Sequence, residues 1–346
     1  MIRVFVVDDS AFVRRALSRV LATEPDFLIV GEAASGAEAL GKIPAADPDF
    51  VTLDVAMPGM DGLQVLPALL RWKPSLRVLM ISAHTQDGAV ATVAALAAGA
   101  VDFIDKTAFN VMDLDFLRAE VLDRLRALAP TAAPPGGSAV NGTARPAVVA
   151  AAAAAALDRC DMCVIGASTG GPAAVQRILQ GLPAQFRLPV VVVQHMPEGF
   201  TKPFAQRLDS LSRLRVSEAV EGQRLARGHV VVAPAGQHLR VSPGMATVLS
   251  HDPSDARHIP SIDVTMRSAA RSRPGRVLGI LLTGMGEDGA EGMSAIRAGG
   301  GITIAENEAS CVVYGMPREA MRRGGVTWEL PLPEISSLLA RLTAPD

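Results

Sequence analysis

The stretch CVIGASTGG (residues 163–171) decides the fold. An unbroken apolar run meets small residues and glycines at Gly166, Gly170 and Gly171, the pattern of a buried strand turning tightly into a helix. Pro172 follows, and then Val175, Ile178, Leu179 and Leu182 recur at helical spacing, with the proline tolerated in the first turn. A strand–glycine turn–helix unit belongs to a doubly wound α/β sheet. Its chemistry is open on these residues alone. Gly166, Ser168 and Gly170 spell the G-x-S-x-G of a serine nucleophile, but such a turn also cradles a phosphate or a dinucleotide, or is only a turn.

Working outward, the same rhythm fills residues 160–346. "LPVVVVQH", "HVVVAP", "RVLGILLTG" and "GGITIAEN" are near-continuous apolar runs bounded by turn residues, as buried parallel strands are. Residues 1–126 alternate in the same way. Their strand candidates are "RVFVVD" (3–8), "FLIVGEA" (27–33), "FVTLDV" (50–55), "RVLMIS" (77–82) and "AVDFID" (100–105). Val13, Ala16, Leu17, Val20 and Leu21 predict a helix capped by Ser10, and Leu114, Leu117, Val121, Leu125 and Leu128 predict another. Between the halves, proline, glycine, small polar residues and an alanine tract offer no mixed apolar face to bury. The expected organisation is therefore a domain over 1–126, a flexible linker over 127–158 and a second domain over 159–346.

The bulk numbers exclude several classes. With 346 residues the chain is long enough for two cores, and 49% hydrophobic with 20% charged residues is ordinary for a globular protein. A formal net charge of −2 offers no global field for nucleic acid or an anionic membrane, and nothing after the linker reads as a basic helix-turn-helix. Met1 leads straight into a strand pattern with no basic region and cleavage site, so no signal peptide is expected, and the longest apolar stretch, 147–157, is too short and alanine-rich to span a bilayer. Three cysteines give no disulfide framework, which fits a cytoplasmic location. Cys160 and Cys163 form a CxxC, but they lead into a strand, where residues three apart point to opposite faces.

Ligands of a parallel sheet collect beyond the carboxyl ends of its strands. In the first half those ends carry Asp8 and Asp9, Asp54, Ser82 and Lys106. Three converging carboxylates repel one another unless a cation sits among them, and carboxylate oxygens suit Mg²⁺. One carboxylate is then able to attack a phosphoryl group, with Ser82 and Lys106 donating to its oxygens. In the second half Ser168 ends one strand, His195 ends "VVVVQH", and Asp288 lies just past "LGILLTGMGE". These are the parts of an acyl-transfer triad: a weak nucleophile, the base that takes its proton, and the acid that sets the base's tautomer.

Each member has a competitor. Ser168 equally suits a helix N-cap, and Asp288 competes with Glu287 and Asp263. His84, His229, His238, His251 and His258 lack a comparable strand-end context and are assigned surface or structural places. The order Ser–His–Asp differs from that of α/β-hydrolases. Backbone N–H groups of "TGMGEDG", Met285 in particular, are oxyanion-hole candidates, and Thr169 is a candidate for orienting neighbouring groups. A dinucleotide site is weakened by the incomplete G-x-G-x-x-G and by the missing acid after "VVVVQHMP", and no Gly-Lys-Ser/Thr follows for a P-loop.

"VVDDS" (6–10), "LDVAMPGMDG" (53–62), "MISAHT" (80–85) and "GAVDFIDK" (99–106) resemble a response-regulator receiver domain. The resemblance implies a flavodoxin-like fold with Asp54 as phosphoacceptor. It also implies Asp8, Asp9, Asp54 and the backbone of Ala56 as Mg²⁺ ligands, and Ser82, Phe103 and Lys106 as switch and phosphate-sensing positions. Thr107 stands where that family usually has proline after the lysine. "IGASTGGP" (165–172), "VVVQHMPEGFTKPFAQRLD" (191–209), "VVAPAGQHL" (231–239), "PSIDV" (260–264), "LLTGMGEDGAEGM" (281–293) and "VYGMPREA" (313–320) resemble the catalytic domain of chemotaxis methylesterases. This implies a Rossmann-like second domain with Ser168 as nucleophile, His195 as base and Asp288 as orienting acid. The expected function is hydrolysis of glutamate methyl esters to methanol, and deamidation of certain glutamines, on chemoreceptor helices. Phosphorylation by a chemotaxis histidine kinase controls it, and the hydrolysis itself needs no cofactor. A receiver docked over the active-site mouth, released when Asp54 is phosphorylated, is the expected means of control. A phosphorylation-driven binding module with an inactive hydrolase-like domain is the alternative.

Overall fold

Each half of the chain is organised around its own parallel sheet. The computed structural model describes residues 1–83, 85–106, 114–129 and 156–343, in two units, Met1–Pro130 and Thr131–Asp346. Most of the expected linker, together with His84 and Thr107, lies outside the described residues.

In the first unit, β1 (Ile2–Val7), β2 (Phe27–Ala33), β3 (Phe50–Asp54), β4 (Arg77–Ser82) and β5 (Asp102–Asp105) form a parallel sheet in the order β2-β1-β3-β4-β5. Its central strands are mostly apolar, as strands of a parallel sheet covered on both faces are, and Val4, Val6, Val7, Val51 and Leu53 are fully buried. The helices start where polar side chains satisfy their first amides. Ser10 accepts from Val13 N at the head of α1 (Ala11–Ala22), as Ser35 does from Glu38 N for α2 (Gly36–Ala46). Asp61 caps α3 (Gly62–Trp72) and Thr85 caps α4 (Gln86–Ala97). The last helix, α5 (Leu114–Leu128), buries Val121, Leu125 and Leu128; the side chains of Leu114 and Leu117 lie outside the described residues. Strand order reverses between β1 and β3, so the ends bearing Asp8, Asp9 and Asp54 are neighbours.

The second unit holds seven parallel strands in the order β14-β13-β12-β6-β7-β9-β8. β6 (Met162–Ala167), β7 (Val190–Gln194), β9 (His229–Val232), β12 (Val277–Leu281) and β13 (Ile302–Glu306) coincide with the apolar runs of the sequence. The edge strands β8 (Arg215–Glu218) and β14 (Trp328–Leu330) are short and part-exposed, and no apolar run announces them. An antiparallel hairpin, β10 (His238–Val241) and β11 (Thr247–Ser250), stands outside the main sheet and was not anticipated either. It is tied to α8 (Ile262–Ser272): Thr265 Oγ1 donates to Leu239 O at 2.7 Å, and Val241 N donates to Ser268 Oγ at 2.9 Å. The remaining helices among the described residues of this unit are α6 (Gly171–Gly181), α7 (Thr201–Leu211), α9 (Ala290–Ala298), α10 (Met316–Arg322) and α11 (Leu332–Leu339). Ile262, Met266, Met293 and Ile296 carry α8 and α9 into the core, each such side chain contributing roughly 1.5–3 kcal/mol by its burial.

Candidate active site and phosphoacceptor pocket

At the switch point of the first sheet, Asp54 is 1% exposed. Its Oδ1 accepts from Ala56 N at 3.1 Å and its Oδ2 from Lys106 Nζ at 2.7 Å. Lys106 Nζ also lies 3.1 Å from Asp8 Oδ2, while Asp8 Oδ1 accepts from Ser10 N at 2.9 Å. Asp8, Asp9 and Asp54 each bring one oxygen to within 4.8 Å of the others. Burial pushes the Asp54 carboxyl up to about 6; the Asp8 charge adds to this, against the lowering pull of Lys106 and the Ala56 amide. Ser82, fully buried, has its Oγ 2.6 Å from Thr92 Oγ1 and 3.2 Å from Gly88 O. Phe103 is buried on β5.

In the second unit β6 lies between β12 and β7, so the chain ends bearing Ser168, Asp288 and His195 converge. Ala167 pairs with Gln194 in register, and His195 N donates to Ala167 O at 3.1 Å, which brings Ser168 and His195 side by side on adjacent strands about 5 Å apart. The Ser168 backbone is pinned on two sides: its N–H donates to Thr283 O at 3.0 Å, and its carbonyl accepts from Gly171 N at 2.7 Å and Gln194 Nε2 at 2.9 Å. The N-cap of α6 is Gly170, at φ +77°, and no side chain caps that helix. Ser168 is therefore not a cap, and its hydroxyl makes no hydrogen bond among the described residues.

Asp288 accepts four hydrogen bonds. His195 Nε2 lies 2.8 Å from its Oδ2, Ile262 N donates to the same oxygen at 2.8 Å, and Ser261 Oγ and Asp263 N donate to Oδ1 at 2.9 and 3.0 Å. Two of these donors are amides in the first turn of α8, where the helix dipole favours an anion. Burial alone raises the Asp288 carboxyl, but His195 and these amides outweigh it and hold it well below the usual range. A carboxylate only accepts, so His195 Nε2 is the nitrogen that donates to it, and in the neutral ring the lone pair is on Nδ1. That Nδ1 is buried and makes no hydrogen bond.

The competing acids have other work. Glu287 is exposed and pairs with Arg323. Asp263 Oδ1 accepts from Gly292 N at 2.6 Å, and burial together with the Asp288 charge raises its carboxyl to about 6. Met285 is half-buried and its N–H makes no hydrogen bond among the described residues; Thr169 is buried, with its carbonyl accepting from Thr283 Oγ1 at 3.0 Å.

Three groups carried no usable sequence signal. His258 stacks on His195, with ring centroids 4.1 Å apart and planes 17° from parallel. His238 is fully buried: its Nδ1 accepts from Ser261 N at 3.0 Å, and its Nε2 lies 3.0 Å from Pro253 O, which makes it neutral and a prop for the Asp288 partner. Glu306, fully buried, accepts from Thr283 N at 2.9 Å and so steadies the residue whose carbonyl holds Ser168. Proximity of His258 to "PSIDV" is the one hint the sequence contained.

Residues 163–339 match the CheB methylesterase family, and residues 4–114 match the response regulator receiver domain. A protein-glutamate methylesterase/protein-glutamine glutaminase of Ralstonia nicotianae is 42% identical, over 99% of this chain and 97% of its own length. One from Myxococcus xanthus is 43% identical over 98% and 97%. The crystal structure of the Thermotoga maritima CheB methylesterase catalytic domain aligns with a TM-score of 0.50 at 38% identity, covering 53% of this chain and 99% of that one. With its acidic switch-point pocket in the first unit and its Ser–His–Asp strand ends in the second, the chain belongs to the family of protein-glutamate methylesterases/protein-glutamine glutaminases that join a receiver domain to a CheB methylesterase domain.

Proposed function

We propose that the chain is a phosphorylation-regulated serine hydrolase that removes methyl groups from glutamyl γ-methyl esters, and deamidates glutamines, on chemoreceptor helices. The observation that carries this reading is His195, held at Nε2 by Asp288 with its basic Nδ1 free on the strand next to an unengaged Ser168 hydroxyl. Nδ1 takes the Ser168 proton as Oγ attacks the γ-carbonyl carbon. The Met285 N–H stabilises the resulting oxyanion, and Thr169 shapes the turn beside it. Collapse breaks the bond from the carbonyl carbon to the methoxy oxygen, and the His195 proton leaves with that group as methanol; when the substrate is glutamine the C–N bond breaks instead and the proton leaves with the amino group as ammonia. Water then attacks the acyl-serine with Nδ1 as base, releasing the glutamate carboxylate and restoring Ser168. Nothing in these steps calls on a metal.

In the receiver, Asp54 is the phosphoacceptor, Ser82 and Phe103 are the switch positions, and Lys106 binds the phosphoryl oxygens. The three converging carboxylates, with Asp8 Oδ2 buried and balanced only by Lys106 Nζ at 3.1 Å, suit a hard divalent cation. Mg²⁺ on Asp8, Asp9, Asp54 and the Ala56 carbonyl would supply charge neutralisation for phosphoryl transfer. The donor is a chemotaxis histidine kinase, residues 127–158 serve as the tether, and the location is cytoplasmic; no helix among the described residues is long and apolar enough to cross a membrane. The test is methanol release from methylated chemoreceptor membranes by the full chain and by Ser168→Ala. Loss in the variant is expected, and equal release by both proteins removes Ser168 as nucleophile.

A further inference from the structure

Helix α8, whose first turn holds Asp288, runs on from the candidate site along one wall of an open groove. The groove has a volume of about 250 Å³ and is lined by Arg240, Pro253, Val264, Arg267 and Arg271. Three of its five lining residues are arginines and none is acidic. Arg267 and Arg271 stand one turn apart on α8, and Arg240 enters from β10. Arg240 Nη2 donates to Asp252 O at 2.5 Å, while its Nε is buried and makes no hydrogen bond. Arg267 shares its charge with Glu291, at 2.6 Å. Arg271 is exposed and forms no ion pair among the described residues. Asp263, at the start of the same helix, is engaged by Gly292 N at 2.6 Å.

We propose that this groove is a subsite for a free carboxylate on the same substrate segment that carries the scissile ester. Planar guanidinium groups match carboxylate oxygens two at a time, and Arg271, exposed and in no ion pair among the described residues, is available to pair with one. The placement fits a helical substrate. Arg267 and Arg271 lie roughly 7 and 13 Å along α8 from Ile262, the residue that donates to Asp288, and a helix repeats its side chains about every 5.4 Å. Resting on the methylesterase reading, the subsite selects substrate by its own product chemistry. Each hydrolysed glutamyl ester becomes a carboxylate, so a segment with one glutamate already free binds better at the ester that remains.

The test uses the full chain and two helical peptides, each with one glutamyl γ-methyl ester. One carries glutamates one and two turns away, and the other carries glutamines there. The acidic peptide is expected to show about a fivefold lower KM at low salt with little change in kcat, and this preference shrinks as salt rises. Arg240→Gln with Arg271→Gln brings the ratio between the peptides toward one. Because that ratio is internal to each protein, a general loss of activity does not mimic the effect. No preference in the wild type, or a preference that survives both substitutions, overturns the proposal. If neither peptide releases methanol, release from methylated chemoreceptor membranes decides the hydrolase reading, and fluorescence anisotropy with the same peptides decides the groove separately. Tighter binding of the acidic peptide that is lost on substitution upholds the subsite, and equal binding overturns it.

Discussion

His195 owes its chemistry to what touches its far side. Asp288, itself saturated by Ser261, Ile262 and Asp263, forces the proton onto Nε2, and the ring of His258 fixes the plane in which Nδ1 lies. Asp263 gives this assembly a pH signature. Its carboxyl titrates near 6 in the fold against an ordinary value of 3.8, so the folded state binds its proton more tightly. That stability is fully present below 3.8 and is lost as pH rises through 6. Asp288 shifts the opposite way, so its contribution is already complete above 3.8 and leaves the 4–6 window to Asp263 within this cluster. Asp263→Asn keeps the backbone N–H on Asp288 and an acceptor for Gly292 while removing the charge. The difference in unfolding free energy between variant and wild-type full chains is expected to grow in favour of the variant between pH 4 and 7, by on the order of 1 kcal/mol. Urea titrations across that range measure it, and a difference independent of pH means Asp263 does not carry the raised carboxyl.

Among the elements, the ends of β6 and β12 make the serine turn. Gly284 follows β12 and packs directly against Ser168; a side chain there would put its Cβ 2.7 Å from Ser168 Cβ and 2.5 Å from Met316 Sδ. The thioether can yield, but the serine is pinned at its N–H and its carbonyl. Gly284→Ala is therefore expected to destabilise the fold by about 1–3 kcal/mol and, with Ser168 as the proposed nucleophile, to lower kcat more than KM, because Ser168 shifts while the outer contacts stay. Denaturant midpoints and steady-state kinetics on the same preparation check both effects. Gly170 is required for a different reason: its φ of +77° turns the chain into α6 with no side-chain cap. The G-x-S-x-G pattern was legible in the sequence, but the partner that needs the glycine at 284 lies more than a hundred residues away.

For the whole molecule, a receiver joined to a hydrolase is useful only if the phosphorylation state of one changes the rate of the other. Coupling of ordinary strength, about 1–3 kcal/mol, corresponds to roughly 5- to 150-fold. A small-molecule phosphodonor with Mg²⁺ is expected to raise methanol release by the full chain within that range, and to leave Asp54→Asn at its basal rate. An equal response of both proteins places control elsewhere than Asp54. The sequence by itself determined the alternation of strand and helix, the cap at Ser10, the two-sheet organisation, and the residues at the strand ends, because each is written in local periodicity and in a few neighbouring side chains. It was silent on the hairpin at 238–250 and the edge strands, which are too short for a periodic signal. The tertiary structure alone decided that β6 lies between β12 and β7, that His195 meets Asp288 through Nε2, that His238 and His258 stand behind the pair, and that three arginines share a groove. Strand order and side-chain encounters are set by packing between segments distant in the chain, and no local pattern encodes them.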